Sequence, residues 1–260
     1  MPQQFANNTV GNRLIELQSI DSTNNYALSQ VHAGMATHGT VYFAHEQTAG
    51  KGQRGRTWSA EKDAGLAISA VLDPQPLLTH QQFFLSMAVA LAARDFFGNY
   101  AGPDTKIKWP NDLYWKDRKA GGVLIESILG TGATHQWHWA IAGIGININQ
   151  GRFPSELPNP VSLKQITGKT FNILALAREL CDFLENRVKE LKTGSLDKLL
   201  ADYNEHLYKK GEVLKFRKES RVFEGRVNRV LPNGSLELLT PFPEEFSFGE
   251  IVFLPHLSRP

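Results

Sequence analysis

Cysteine is almost missing: Cys181 is the only one in 260 residues, so no intramolecular disulfide can form and a reducing compartment is expected. It falls in a helical apolar pattern, where a small buried side chain is the expected role. Charge of one sign is also missing. The 28 basic and 26 acidic residues leave a formal net charge of +2, which gives no electrostatic case for a dedicated nucleic-acid binder and makes any anion chemistry local. No run reaches the ~18 apolar residues of a membrane span, and Met1–Asn8 lacks the charged and apolar regions of a secretory leader. A cytoplasmic location with no membrane partner is expected. Internal repeats and low-complexity tracts are absent too. The remainder, 42% hydrophobic and 21% charged, is an ordinary globular composition, long enough for one large domain or a large and a small one.

What is present in unusual density is glycine and positive charge between Thr48 and Trp58. Gly50, Gly52 and Gly55 allow the backbone to turn its N–H groups toward a ligand, while Lys51, Arg54 and Arg56 supply charge to offset phosphate or carboxylate. A phosphorylated or acidic small molecule is the first expectation. Gly50-x-Gly52-x-x-Gly55 also spells the dinucleotide fingerprint, with Thr40–Ala44 as its strand. The context fails, because Thr57–Gly65 is polar and ends in a turn instead of opening an apolar helix. A solvated basic hairpin is the remaining alternative.

Around this loop the pattern is mixed. Arg13–Leu17 reads as a strand, followed by Asp21-Ser22-Thr23-Asn24. Those side chains could cap a helix over Asn25–Val31 or hydrogen-bond a ligand. Val41–His45 and Leu66–Leu72 flank the loop as strands, and Thr79–Gln82 resembles a capping box before a core helix carrying Phe83, Phe84, Met87, Leu91 and Phe96. Lys106–Trp115 and Lys119–Glu126 read as the two arms of a β-hairpin turning at Lys116-Asp117-Arg118, with Pro110 at an edge or bend. Gly121-Gly122 inside a strand marks the close approach of a backbone or ligand; Lys119 beside it either reaches over that ligand or is a solvated strand-end lysine. Trp137–Ile148 alternates Ile144, Ile146 and Ile148 with Gly143, Gly145 and Asn147. One face is greasy and the other nearly bare, suited to a flat ligand or to a tight helix contact. Asn172 caps an amphipathic helix to Leu191, and Leu196–Leu207 gives another. From about Gly211 the texture becomes short strands (212–216, 222–231, 235–239, 250–254), with a hairpin signal at Pro232-Asn233-Gly234.

Taken together, Ser22-Thr23-Asn24, Gly50–Trp58, Lys108-Trp109-Pro110-Asn111-Asp112, Lys119–Glu126 and Gly143–Asn147 closely resemble, in order and spacing, the motifs of biotin protein ligases. The resemblance covers about residues 13 to 150. It implies an α+β fold: a mixed β-sheet catalytic domain with helices packed on it (1–207) and a small C-terminal SH3-like β-barrel (208–260). It implies an enzyme that joins biotin to ATP, giving biotinyl-5′-AMP and pyrophosphate, and then passes biotin to a lysine of a biotin carboxyl carrier domain of acetyl-CoA carboxylase or a similar enzyme. Carried over, Ser22, Thr23, Asn24, Gln47, Gly50, Lys51, Gln53, Lys119, Gly122 and Gly143 would contact biotin. Arg54, Arg56, Trp58, Asn111, Asp112, Lys119 and Asn147 would contact ATP, with Lys119, Arg54 and Arg56 catalytic and Asp112 holding magnesium (Mg2+).

Such chemistry suits these residue types. Two anions must be brought together and water shut out of a mixed anhydride, so cations and N–H groups preorganised around the phosphorus lower the barrier. No covalent enzyme nucleophile is needed, in keeping with the lack of a Ser/His or Cys/His signature. Two departures stand out. Gln53 occupies a position where many relatives carry arginine. A DNA-binding winged helix precedes the domain in some relatives, whereas about a dozen residues precede the first strand here, so no DNA partner or transcriptional role is expected. A homodimer is left open. A lipoate ligase or octanoyltransferase is the enzymatic alternative, and a nucleic-acid-binding module, salt-dependent and without ATP turnover, the non-enzymatic one.

Overall fold

The computed structural model describes residues 9–130 and 136–254; the Met1–Asn8 stretch lies outside them. Its centre is a seven-stranded sheet of β1 (Arg13–Leu17), β2 (Thr40–Ala44), β3 (Gly65–Leu72), β4 (Thr105–Lys108), β5 (Asp112–Trp115), β6 (Arg118–Leu129) and β7 (Trp137–Asn147). The strand order is β1-β2-β3-β7-β6-β5-β4. Only β1 and β2 run parallel; every other neighbouring pair is antiparallel. The central strands β2 and β3 are buried along their whole length, which is why they read as continuous apolar runs.

The two faces of the sheet are covered differently. Helices α2 (Gln82–Ala101), α3 (Leu163–Thr167), α4 (Ile173–Lys192) and α5 (Leu196–Glu205) complete the main core. Phe84, Met87, Leu91 and Phe96 of α2 and Leu180 and Leu184 of α4 join Ile144 and Ile146 of β7 there. On the opposite face α1 (Thr23–His32) packs Ala27 with Tyr42, Val71 and Ile141 in a smaller cluster. Because side chains alternate along a strand, Gly143 and Gly145 must share the α1 face with Ile141. The greasy and bare faces expected for β7 are therefore the two sides of the sheet.

The small C-terminal β domain follows, a five-stranded antiparallel sheet of β8 (Val213–Lys218), β9 (Arg221–Val230), β10 (Leu236–Leu239), β11 (Pro243–Phe246) and β12 (Val252–Phe253) in the order β11-β10-β9-β8-β12. Its Phe216, Val227, Leu236 and Phe246 belong to the same continuous cluster as the main core. Strand β11 was not expected from the sequence, since it begins on a proline between turn residues; a proline is tolerated there because β11 is an edge strand.

Three local expectations need correction. Lys106–Trp115 is not one arm of a hairpin but two strands, β4 and β5, paired with each other. Pro110 has no N–H for a ladder, so the chain folds back at Trp109-Pro110-Asn111 through a cis Trp109–Pro110 peptide. Ser22 is the residue before α1, yet its side chain makes no capping bond. At the start of α2, Gln81 folds back onto the Leu78 N–H at 3.0 Å, so the reciprocal contact lies one residue earlier than Thr79–Gln82. The cap at Asn172 is as expected, accepting from Ala175 N at 2.9 Å.

Candidate active site

The registers across the sheet place small residues in a line. Ala44 pairs with Ala67, Ala67 with Gly145, Gly145 with Gly122, and Gly122 with Asp112. Paired residues share a face, so the α1 side carries a nearly flat strip across four strands that ends on a carboxylate. The next row runs Tyr42, Ser69, Gly143 and Leu124. Both rows have a glycine where β7 passes beneath.

Polar side chains ring one end of this floor. Ser22, Thr23 and Asn24 are buried in the first turn of α1, and Ser69 is buried in β3. Gln47 Oε1 accepts from Thr23 N at 2.8 Å and from Thr23 Oγ1 at 3.0 Å. Ser69 Oγ lies 2.8 Å from Thr23 Oγ1 and 2.5 Å from Asn24 Oδ1, its single proton shared between these two acceptors, and Asn24 Nδ2 donates to Glu126 Oε2 at 2.7 Å. Lys51 Nζ lies 3.8 Å from the other Glu126 oxygen. A Cβ on Gly143 would fall 2.2 Å from Asn24 Oδ1, so the bare strand here admits an asparagine from the helix. At Gly143 the structure shows the tight helix contact of the two readings, and that contact is polar.

The other end of the floor is charged. Lys119 Nζ donates to Asp112 Oδ1 at 2.6 Å, both side chains being partly exposed. A Cβ on Gly122 would meet Asp112 Oδ1 at 3.2 Å and Lys119 Cε at 3.9 Å, so this glycine gives the pair its room. Lys108 stands behind them, its Nζ 4.8 Å from the ring centre of Tyr114, 5.0 Å from Phe253 and 5.9 Å from Tyr208. Burial pulls the Lys108 pKa down, against Asp112 and with Lys119 and Arg56, while burial pushes the Tyr114 hydroxyl up to about 12.

The glycine-rich loop covers the floor. Gly52 N donates to Arg56 O at 2.7 Å, Trp58 N to Gly50 O at 2.9 Å, and Lys51 bridges Thr57. A short 3-10 turn spans Gln53–Gly55, with Arg54 left-handed at φ 57° and Gly55 at φ 74°. The Trp58 ring lies on Gly145, where a Cβ would fall 2.6 Å from its Cε2. Under it remains a cavity of only about 10 Å³, lined by Ala44, Gln47, Trp58 and Ala67 among others. Two buried polar atoms of the loop, Gln53 Oε1 and Trp58 Nε1, have no hydrogen-bond partner among the described residues.

Of the residues expected at a site, the structure brings together Ser22, Thr23, Asn24, Gln47, Lys51 and Gly143 at one end and Asp112, Lys119 and Gly122 at the other, with Gly50 and Trp58 above. Asn111 and Asn147 sit differently. The Asn111 amide donates to Val123 O, and Asn147 Nδ2 donates to Val161 O at 3.1 Å and Lys119 O at 3.4 Å, so both amides hold the backbone of β6. Arg54 points away to the C-terminal domain, donating to Gly249 O at 3.3 Å. Sequence reasoning missed Ser69 and Glu126 as members of the polar ring. A single serine in the apolar run Leu66–Leu72 was the available signal for the first.

A floor of small residues, a hydrogen-bonding ring and a glycine-rich basic loop thus lie together on the α1 face of the sheet. The comparisons place the chain in a family: residues 16–147 match the biotin/lipoate A/B protein ligase family, and the chain belongs to it. Among named relatives, the bifunctional ligase/repressor BirA of Bacillus subtilis is 29% identical over 235 residues, 89% of this chain and 70% of BirA. The biotin--[acetyl-CoA-carboxylase] ligase of Paracoccus denitrificans is 38% identical over 160 residues, 58% of this chain and 63% of its own. The structure of the Aquifex aeolicus biotin protein ligase in complex with biotin and ATP superimposes with a TM-score of 0.78 at 26% identity, covering 94% of this chain and 99% of the other.

Proposed function

We infer that this chain is an ATP-dependent biotin protein ligase, the observation carrying the reading being the bare Ala44–Ala67–Gly145–Gly122 floor between a buried hydrogen-bonding ring and the Lys119–Asp112 pair. Once the Trp58 ring lifts off Gly145, the floor accepts a flat bicyclic head group, with its polar edge toward Thr23, Asn24, Gln47 and Ser69. The valerate tail then runs along the strip toward Lys119. There the biotin carboxylate oxygen attacks the α-phosphorus of ATP; the P–O bond to the β-phosphate breaks and pyrophosphate leaves. A carrier lysine, as its free amine, next attacks the acyl carbon of biotinyl-5′-AMP, AMP leaves, and the amine proton passes to solvent.

The enzyme's share in both steps is positioning and charge. Lys119, freed from Asp112 or shared with it, stands where carboxylate and α-phosphate meet, and Arg56 adds charge from the loop. The loop and Trp58 keep water from the mixed anhydride. Among the described residues no group of three or more His, Cys, Asp or Glu could hold a metal by itself. That donor set fits Mg2+ only in its common nucleotide-bound form, one carboxylate plus substrate phosphates; Asp112 is the residue that would hold it, and the ion would neutralise phosphate charge. The acceptor is a biotin carboxyl carrier domain of the acetyl-CoA carboxylase kind, supported by the names of relatives.

Incubation with ATP, biotin and an apo carrier domain tests the reading. Streptavidin-detectable carrier is expected, with biotinyl-5′-AMP visible by mass spectrometry when carrier is left out. Lipoylated carrier with no biotinylated product would transfer the chain to the lipoate branch of the family.

A further inference from the structure

The side chain that leaves the loop makes the longest-range contact of the site. Arg54 donates to Gly249 O across 195 positions of chain, and its guanidinium carbon lies 5.8 Å from the ring centre of Phe248. The seat is close: Gly249 has φ +90°, and a Cβ there would fall 2.2 Å from Arg54 Nη1. The turn carrying it is held by Ser247 N donating to Glu250 Oε2 at 3.0 Å and Glu250 N to Ser247 O at 3.1 Å. Phe248 also meets Trp109 edge-on, ring centres 6.1 Å apart at 81°, and Trp109 Nε1 donates to Gly234 O of the same domain at 3.0 Å. One aromatic ring of the small β domain thus touches both the loop and the bend that leads into Asp112.

The local backbone makes that seat informative. Left-handed φ and ψ are costly for any residue with a Cβ and persist where surrounding contacts over-determine them. Nothing within the 50–58 turn requires arginine at the left-handed position, where glycine or asparagine would be easier. What the arginine adds is reach.

We propose that the Phe248–Gly249 turn is the seat of the glycine-rich loop, so that the C-terminal β domain fixes the loop's geometry over the nucleotide end of the site, and that Arg54 is a positioning residue acting through this contact and not an anion ligand. The kinetic part rests on the ligase reading; the seat itself does not. Phe248 is 48% exposed, so Phe248→Ala removes the contact without opening the core, which a thermal melt checks. In full-length protein, trypsin cleavage after Lys51 and Arg56 is expected to be at least about threefold faster in Phe248→Ala and in Arg54→Ala than in wild type, the loss of one exposed cation–π contact. Gly249→Ala, whose added methyl displaces the guanidinium, should do the same. In turnover, both single variants raise the KM for ATP by about three- to tenfold, more than they lower kcat, and the Arg54→Ala/Phe248→Ala double variant is no worse than the poorer single. Unchanged cleavage in Phe248→Ala overturns the seat. Single effects that multiply in the double variant overturn the positioning role, since Arg54 then acts on the nucleotide independently. If wild type shows no ligation, the ligase reading fails while the trypsin comparison still decides the seat.

Discussion

Replacing Gly143 by alanine asks the floor to accept one methyl group. The new Cβ would lie 2.2 Å from Asn24 Oδ1, 2.9 Å from Cγ and 3.1 Å from Nδ2, so the amide must move as a whole. It cannot move without loss, because Oδ1 accepts from the buried Ser69 and Nδ2 donates to Glu126. A neutral bond contributes about 1 kcal/mol and one to a carboxylate about 1.5–3 kcal/mol; Ser69 keeps Thr23 Oγ1 as an acceptor at 2.8 Å, which holds the total to about 2–3 kcal/mol. For a chain of this size that is a fall in melting temperature of about 5–10 °C. Biotin affinity by calorimetry should drop at least about tenfold, since the displaced amide occupies the ligand's polar edge. Gly145→Ala is the internal control. Its methyl would meet Trp58, at 2.6 Å, and Trp58 is carried by a loop that can swing aside. That variant should melt within about 2 °C of wild type and expose the loop to protease. A Gly143→Ala protein with wild-type melting temperature and biotin affinity would refute the whole account of Asn24 as a fixed part of the floor.

Lys119→Ala should lower adenylate formation by at least about 100-fold while leaving biotin binding much less affected, read as biotinyl-5′-AMP by mass spectrometry beside a biotin titration; wild-type turnover would remove Lys119 from the reaction. His45 bonds Glu16 at 2.7 Å and Asp63 at 2.5 Å, and its pKa is raised above the usual imidazole value by the Glu16 bond first, with burial opposing and Asp63 assisting. A raised folded-state pKa gives stability that is fully present below the unfolded value and lost as pH rises through the folded one. The melting-temperature gap between wild type and His45→Gln should therefore be wide at acidic pH and close at alkaline pH. Burial pushes the Cys181 thiol up to about 12, so a thiol reagent at pH 8 should label it only after denaturation, and native labelling would contradict its place in the core.

Local pattern was enough to read much of this molecule. The alternation of Ile144 and Ile146 with Gly143 and Gly145 showed a strand with one bare face, and β7 has its bare face against α1 and the loop. Trp137–Ile148 as a strand and Ile173–Leu191 as a helix needed only periodicity, because each buries one consistent side. What local pattern could not supply was registry and distance. That Ala44, Ala67, Gly145 and Gly122 line up follows from which residues pair across four strands, and alanine in an apolar strand carries no sign of it. Asn147 offered an amide at the end of a bare face, yet the amide is spent on the carbonyls of Val161 and Lys119, partners fixed by a segment with no regular pattern. Arg54 was indistinguishable from Lys51 and Arg56 as a loop cation; only the return of the chain nearly two hundred residues later separates it from them.

The same geometry bears on why the biotin branch of the family is favoured over the lipoate branch. Under the proposed function either substrate would bring a carboxylate to Lys119, so the charged end of the floor would not discriminate between them. The opposite end does. Thr23, Asn24, Gln47 and Ser69 satisfy one another through hydroxyl and amide groups, and a carbonyl oxygen or amide nitrogen in such a ring retains capacity for a further bond. A ureido group, with one acceptor flanked by two donors, can enter that ring and exchange bonds with it at little loss. A dithiolane or a plain alkyl chain has nothing to exchange, so any crowding of the ring leaves buried polar groups unpaired, at about 1–3 kcal/mol each. Sites built to hydrogen-bond a group reject the analogue lacking it far more strongly than apolar pockets reject an extra methylene. The proposed function therefore assigns selectivity for biotin to the buried first turn of α1 and the serine of β3, away from Lys119 and Asp112, and Ser69→Ala should lower biotin affinity more than it lowers the rate of adenylate formation at saturating biotin.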